Sequence, residues 1–332
     1  MATINDVARL AGVSPMTASR VVNSTGNVKA AARERVLRAV AELGYTRNHA
    51  AAALRGRGQP TWTIGLVLEN VANGYQAQLQ REIEDAALDR GSFVLAASTE
   101  EDPERMASAI SAFRSREVDG LVVAPPPGDH PLLAEVRQQG VPLVIVDRPA
   151  ATLDAPYVLS DGRRGTRDAV AHLAARGHRR IAYITDLRSL TMQDRHAGFL
   201  DGMRAAGLSA DDRLMRCEIE TAEDATAATG ELLDLADSPT AFVTGRDATT
   251  IGVARGLHLR DEQHRRALVG FDDVELADLV DPGISVIAQD PVEVGRRAAE
   301  KLLEQLGGAE TTRAEIRVPT TLIARGSGEI TA

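Results

Sequence analysis

Apolar residues in the first 45 positions recur at helical spacing, and past Pro60 they switch to short continuous runs. Ile4, Val7, Ala8 and Ala11 fall at i, i+3, i+4 and i+7, the stripe of one helix face. Thr3 stands where an N-cap belongs. Gly12-Val13-Ser14 ends this run: Gly12 suits a left-handed position after a helix, and Ser14 can cap the next one. Pro15 then occupies a first helical position, where its missing N–H costs nothing. The second helix, Pro15 to about Val22, turns Ala18, Val21 and Val22 inward and leaves Pro15, Met16, Ser19 and Arg20 outward. A third run, Ala32 to Leu43, points Val36, Leu37, Val40 and Leu43 inward and stops at Gly44. Two short helices joined by a three-residue glycine turn are a helix-turn-helix, and the third completes a minimal all-α core.

Beyond Pro60 the runs read as strands: Ile64–Leu68, Phe93–Ala96, Leu121–Ala124, Leu143–Val146, Ile181–Ile184, Ala241–Val243 and Ala267–Phe271. Between them lie helical stripes, such as Leu79, Ile83 and Ala86, or Met106, Ile110 and Phe113. Strands alternating with helices predict parallel sheet covered on both faces. This part is too long for one comfortable core, so two α/β lobes are expected.

Charge divides the chain at the same place. The first 60 residues carry nine Lys and Arg against three Asp and Glu, or +6, in a chain whose formal total is −9, so the other 272 residues hold −15. A small basic head on an acidic body predicts that the head meets a polyanion, and nucleic acid is the obvious one, because neutralising phosphates releases counterions. Arg20 can donate two parallel hydrogen bonds to guanine, whereas Pro15 and Met16 offer only apolar contact, for which a thymine methyl is the fitting target. Thr17, Ser19 and Asn23 suit phosphates or caps, which fix register without reading sequence.

Other chemistry is thinly represented. One cysteine, Cys217, leaves no internal disulfide and no cysteine-based zinc site, and the seven histidines never take a ligand spacing, so neither metal nor cofactor is expected. No phosphate-binding loop stands out. No run approaches 18 apolar residues and the first 20 lack an apolar signal core, so a cytoplasmic protein away from membranes is expected. In open α/β sheets ligands bind beyond the carboxyl ends of the strands. Asp147-Arg148, Arg246-Asp247 and Asp272 each follow a predicted strand end and are candidates for a polyhydroxylated or anionic ligand.

The string TINDVARLAGVSPMTASRVVN, with RERVLRAVAELGY downstream, resembles the N-terminus of the lactose-repressor (LacI/GalR) family of bacterial transcription regulators, and the likeness continues over essentially the whole chain. The resemblance implies a helix-turn-helix head over 1–46, a hinge helix and linker over 47–60, and a two-lobed periplasmic-binding-protein-like (type I) effector core over 61–332. In that core, lobe 1 would take about 61–160 and 290–319, and lobe 2 about 161–289 and 320–332. It also implies that the second helix enters the major groove, so the DNA contacts would come from Thr3, Ser14, Pro15, Met16, Thr17, Ser19, Arg20 and Asn23. A hinge helix that orders on DNA would add Asn48, Ala51 and Arg55 around Leu54, an apolar wedge for the minor groove. One departure concerns the third helix: many relatives have Ser just before it where this chain has Val28-Lys29-Ala30, which predicts a weaker cap.

For the effector, the family's motifs add Tyr75, Gln76, Thr191 and Arg195 (in Arg-His-Ala-Gly-Phe) to Asp147, Arg148, Arg246 and Asp272. Arg195 is the strongest candidate, since a fork of donors suits vicinal hydroxyls or a carboxylate. Arg246, where relatives often have Asn, hints at a sugar acid unless Asp247 or Asp272 neutralises it; Asp147 and Arg148 could also form structural salt bridges. The expectation is a dimeric repressor on a palindromic DNA operator, not an enzyme, controlled by a sugar or sugar acid between the lobes. The alternative is a sugar- or nucleotide-acting enzyme carrying a nucleic-acid-binding head.

Overall fold

Three helices form within the first 45 residues of the computed structural model, which describes residues 2–22, 27–45, 61–150, 153–309 and 313–332. They are α1 (Ile4–Ala11), α2 (Pro15–Val22) and α3 (Ala30–Glu42). Thr3 caps α1 in a reciprocal box with Asp6, and Gly12 takes φ 63°, the left-handed turn for which glycine is suited. The Ser14 hydroxyl accepts from the Thr17 amide at 3.1 Å, capping α2. At α3 the capping position is Lys29, with no side-chain cap, as the departure at Val28-Lys29-Ala30 predicts. Seven residues are buried here, Val7, Ala8, Ala11, Ala18, Val21, Val36 and Ala39: four alanines and three valines. Leu37 corrects the expected stripe, being 53% exposed while Ala39 is buried. One residue advances a helix by about 100°, so Leu37 cannot share the face that Val36 and Val40 define.

The chain separates into two compact units, Met1–Thr61 and Trp62–Ala332. The second holds two six-stranded sheets. The first sheet uses β1 (Thr63–Leu68), β2 (Phe93–Ser98), β3 (Gly120–Val123), β4 (Leu143–Val146) and β5 (Tyr157–Ser160), interleaved with α4 (Gly74–Leu88), α5 (Pro103–Ser115) and α6 (Pro131–Gln138). The second begins after α7 (Gly162–Ala175). It uses β6 (Ile181–Ile184), β7 (Met215–Arg216), β8 (Ala241–Thr244), β9 (Ala267–Phe271) and β10 (Ser285–Ala288), interleaved with α8 (Leu190–Ala205), α9 (Ala222–Leu233) and α10 (Asp247–Leu259). Then α11 (Pro291–Leu306) returns to the first sheet, β11 (Glu315–Val318) joins it, and β12 (Thr321–Ile323) joins the second before α12 (Gly326–Glu329).

Strand orders are β11-β5-β4-β3-β1-β2 and β12-β10-β9-β8-β6-β7. All pairings are parallel except β10 with β12, as the strand–helix alternation predicts. β3, β4, β6, β8 and β9 are buried throughout because helices cover both faces. Val294, Ala298 and Leu302 of α11 bury against the first sheet, as their spacing predicts; on α4 the third buried position is Ala87 and not Ala86. No helix of the described residues is long and apolar enough to cross a membrane.

Helices α7 and α8 touch backbone to backbone, because Gly198 of the Arg-His-Ala-Gly-Phe string lies on the Arg163 carbonyl. A Cβ there has nowhere to go. Gly198→Ala is therefore expected to cost about 1–3 kcal/mol despite alanine's better helix propensity. A melting curve would show a drop of several degrees, and an unchanged midpoint would show that the helices can part.

Candidate functional site

On α2 the residues expected to read bases, Pro15, Met16 and Arg20, are all exposed, Met16 to 65%. Thr17 and Ser19 are half-buried beside them, and Thr3 and Ser14 lie exposed at the helix starts. The Arg35 side chain of α3 donates from Nε to the Ala11 carbonyl at 3.0 Å, bracing α1 against α3 beside the turn. Asn23, Asn48, Ala51, Leu54 and Arg55 lie outside the described residues.

In the second unit a narrow cleft, partly open to solvent, lies between the two sheets at the carboxyl ends of their strands. Tyr75, Gln76, Asp147, Arg148, Thr191, Arg195, Arg246 and Asp272, all eight of the expected effector contacts, line it together. Glu69 follows β1, Asp147 follows β4, Asp186 lies just past β6, Arg246 just past β8, Asp272 follows β9 and Gln289 follows β10. The start of α4 supplies Tyr75 and Gln76, and the first turns of α8 supply Thr191 and Arg195. Asn73 and Ser189, the caps of α4 and α8, enter it too. Asp147 and Asp272 occupy equivalent places after β4 and β9, and both have left-handed backbone, φ 62° and 69°. Such strain outside glycine persists where surrounding structure imposes it, often at binding sites.

Glu69, Glu101, Asp186 and Gln289 line the cleft without having been expected there. The strand-end rule reaches Glu69 and Asp186; it misses Gln289 because β10 was not anticipated, and Glu101 because its place is set by tertiary contacts.

Every arginine of the cleft has partners within the protein. Arg148 is buried, paired with Glu69 and with Glu101 at 2.9 Å, and 3.8 Å from Asp147. The structural salt-bridge alternative thus describes Arg148. Burial pushes the Glu69 carboxyl above its usual range, against the pull of Arg148. Arg246 bonds Asp186 at 3.0 Å and lies 3.8 Å from Asp247, so its charge is balanced mainly by Asp186, with Asp247 alongside. Arg195 is 3% exposed, donates to the Gly245 carbonyl at 2.7 Å and stacks 3.6 Å over the Phe271 ring. Its Nε has no partner, nor has Oε1 of Gln289. Several contacts join the lobes around this floor, among them Arg246 with Glu69 at 4.0 Å. Asn73 donates to Asp247 at 2.9 Å and the Thr191 hydroxyl to the Asp147 carbonyl at 3.1 Å; Arg188 pairs with Glu101 at 3.1 Å and Arg317 with Asp194 at 2.6 Å.

Burial pushes the Asp272 carboxyl from 3.8 to about 6, with Arg195 and an accepted hydrogen bond from Gln289 opposing. A pKa raised on folding means that the folded state holds the proton more tightly than the unfolded chain. Stability is lost as pH rises from about 4 to about 6, and the deficit, at most about 3 kcal/mol, persists above that window. Asp272→Asn should therefore raise the melting midpoint by a few degrees at pH 8 and leave it unchanged at pH 3.5. A gain of equal size at both pH values would contradict this assignment.

Residues 3–48 match the family described as bacterial regulatory proteins, lacI family, and residues 170–328 that described as periplasmic binding protein-like domain. The chain is 30% identical to the ribose operon repressor of Escherichia coli (strain K12), over 98% of its own length and 100% of that protein's. Among solved structures it resembles the lac repressor dimer bound to operator and the anti-inducer ONPF, at 27% identity and TM-score 0.86, covering 98% of this chain and 99% of that one. It also resembles the transcriptional regulator CelR–cellobiose complex, at 29% identity and TM-score 0.74, covering 98% and 100%.

Proposed function

Since this chain belongs to the LacI family of bacterial regulatory proteins, we propose that it is a repressor that binds a palindromic operator as a homodimer and answers to a small carbohydrate held in the cleft between its lobes. The observation that carries this reading is the pairing, in one chain, of an outward-facing α2 with Pro15, Met16 and Arg20 exposed and a cleft that gathers Tyr75, Gln76, Asp147, Arg148, Thr191, Arg195, Arg246 and Asp272.

Residues 1–46 read DNA, 47–60 connect, and 61–332 bind effector and partner subunit. Arg20 supplies the fork for a guanine, Pro15 and Met16 the apolar contact, and Thr3, Ser14, Thr17, Ser19 and Asn23 the phosphate contacts that set register. In the connecting segment Leu54 wedges the minor groove between flanking Asn48, Ala51 and Arg55. A two-fold dimer places two such heads on half-sites related by the same symmetry. The effector acts by binding one relative orientation of the lobes better than the other, which shifts the population of hinge arrangements and so the operator affinity. The exposed Arg–guanine chemistry and the mutually neutralised cleft arginines call for binding and not for turnover, in the cytoplasm where the operator lies.

The test is selection of binders from a random duplex pool at about 0.15 M salt, which suppresses purely electrostatic association. Enrichment of a palindrome is expected. Binding with no enriched sequence would overturn the repressor reading.

A further inference from the structure

Among the described residues the chain crosses between the lobes at three places, from β5 into α7, from β10 into α11 and from β11 into β12. In strand order β5 and β11 stand at one end of the first sheet, and β10 and β12 at one end of the second, so the crossings share one side of the core. The opposite ends are β2 and β7, which no crossing ties together. A rotation about the crossings therefore parts the lobes least beside β5 and β10 and most beside β2 and β7. The cross-lobe contacts fall along this lever. Arg317, on β11 itself, meets Asp194 on the crossing side. Asn73 with Asp247, and Glu69 with Arg246, span the middle, past β1 and β8. At the free ends Glu101, three residues past β2, meets Arg188 at 3.1 Å.

This last pair differs from the cleft's other ion pairs in having somewhere to go. Arg188 is also 3.0 Å from Glu220, past β7, and 3.8 Å from Asp186, both in its own lobe. Glu101 accepts from Arg148 at 2.9 Å within the first lobe. Parting a buried ion pair is costly when it strands a charge. Parting Glu101 from Arg188 strands neither, so the contact can open and close at low cost. The turn that carries Glu101 is also strained: Glu100 and Glu101 are consecutive non-glycine residues with left-handed backbone, φ 52° and 62°. The Glu100 amide, bonded to the Glu69 carbonyl at 2.7 Å, pins this turn to the end of β1. Backbone of this kind persists where surrounding contacts impose it, and it gathers at switch regions.

We propose that Glu101 and Arg188 form an electrostatic latch across the free edges of the two lobes, one that biases the protein toward a closed cleft before any ligand arrives. The latch sets the opening equilibrium from which an effector selects, and it holds whatever that effector is.

Hydrogen exchange on the full chain, without ligand, tests it. The amides of Tyr75, Gln76 and Met192, bonded to the caps Asn73 and Ser189 at the cleft-facing starts of α4 and α8, report opening. Glu101→Gln and Arg188→Gln are each expected to exchange there about two- to fivefold faster than the parent, the range of a partly exposed ion pair, with the melting midpoint little changed. The double variant should be no faster than the faster single one, because the second change finds nothing left to break. At about 0.5 M salt the parent should approach the variants. Glu220→Gln removes the own-lobe partner of Arg188 and leaves the cross-lobe one, so no acceleration is expected from it. Additive acceleration in the double variant, or an equal rise in Glu220→Gln, overturns the latch, since the changes would then act through separate local packing. Unchanged exchange in both single variants overturns it as well, because other contacts would then hold the lobes.

Discussion

Arg195→Ala is expected to leave operator binding intact and to abolish the response to effector. The side chain runs from the second turn of α8 to the ends of β8 and β9, held by the Gly245 carbonyl and by the Phe271 ring. Its Nε is a buried donor left without a partner, as is the hydroxyl of Tyr75 in the same cleft. Removing it takes that donor from the ligand and deprives Asp272 of the positive charge that opposes its burial. The Asp272 carboxyl should then titrate higher still, and the cleft should lose both its donor and the charge balance around it. None of these contacts reaches the head. Fluorescence anisotropy on operator DNA across a range of effector concentrations measures both properties together, and a melting curve checks that the core is folded. Arg195→Lys keeps the charge without the stacked plane, so a partial response is expected from it. A full response from Arg195→Ala would sink the assignment.

The second large effect belongs to α2. Arg20→Ala is expected to weaken operator binding by about 1–3 kcal/mol in each half-site, or roughly 5–150-fold per head, with little change on unrelated duplex at the same salt. The distinction rests on what each contact reads: a guanine fork is lost only where the guanine is present, whereas a phosphate contact is lost everywhere. Arg20 sits on the exposed side of α2, opposite the buried Ala18 and Val21, so its removal leaves the small core of the head untouched. Titrations on the operator and on a scrambled duplex decide between the two roles. Equal loss on both would make Arg20 a phosphate contact.

Seven strands and the three head helices could be read from the chain because each is a local pattern: a buried apolar run, a 3.6-residue stripe, a cap. The five strands that escaped lack such a pattern. Tyr157–Ser160 and Ser285–Ala288 are short runs ending in a partly exposed residue, and Met215–Arg216 is too brief to show any period. Glu315–Val318 and Thr321–Ile323 are edge strands, half exposed and rich in polar residues, made strands only by neighbours 158 and 37 positions back, as in Glu315 with Tyr157 and Ile323 with Val286. The cleft divides in the same way. Positions just past strand ends could be found by rule, and the fold brings them together. The carboxylates that hold the arginines could not, because Arg148 meets Glu69 across 79 residues and Arg246 meets Asp186 across 60. Leu37 shows the opposite error, where an apolar residue was assigned to a face that helix geometry denies it.

The placing of β11 and β12 also bears on how the protein is made. Each closes an edge of a different sheet, and each lies after residue 314. On the ribosome, then, neither lobe can finish its sheet until synthesis is nearly past both strands, and the first lobe also waits for α11. The head, complete by residue 45 and built from contacts close in sequence, can fold long before. For much of its synthesis the nascent chain is thus a folded basic module trailing two unfinished acidic sheets, so premature termination before residue 315 would release a head with no competent sensor attached.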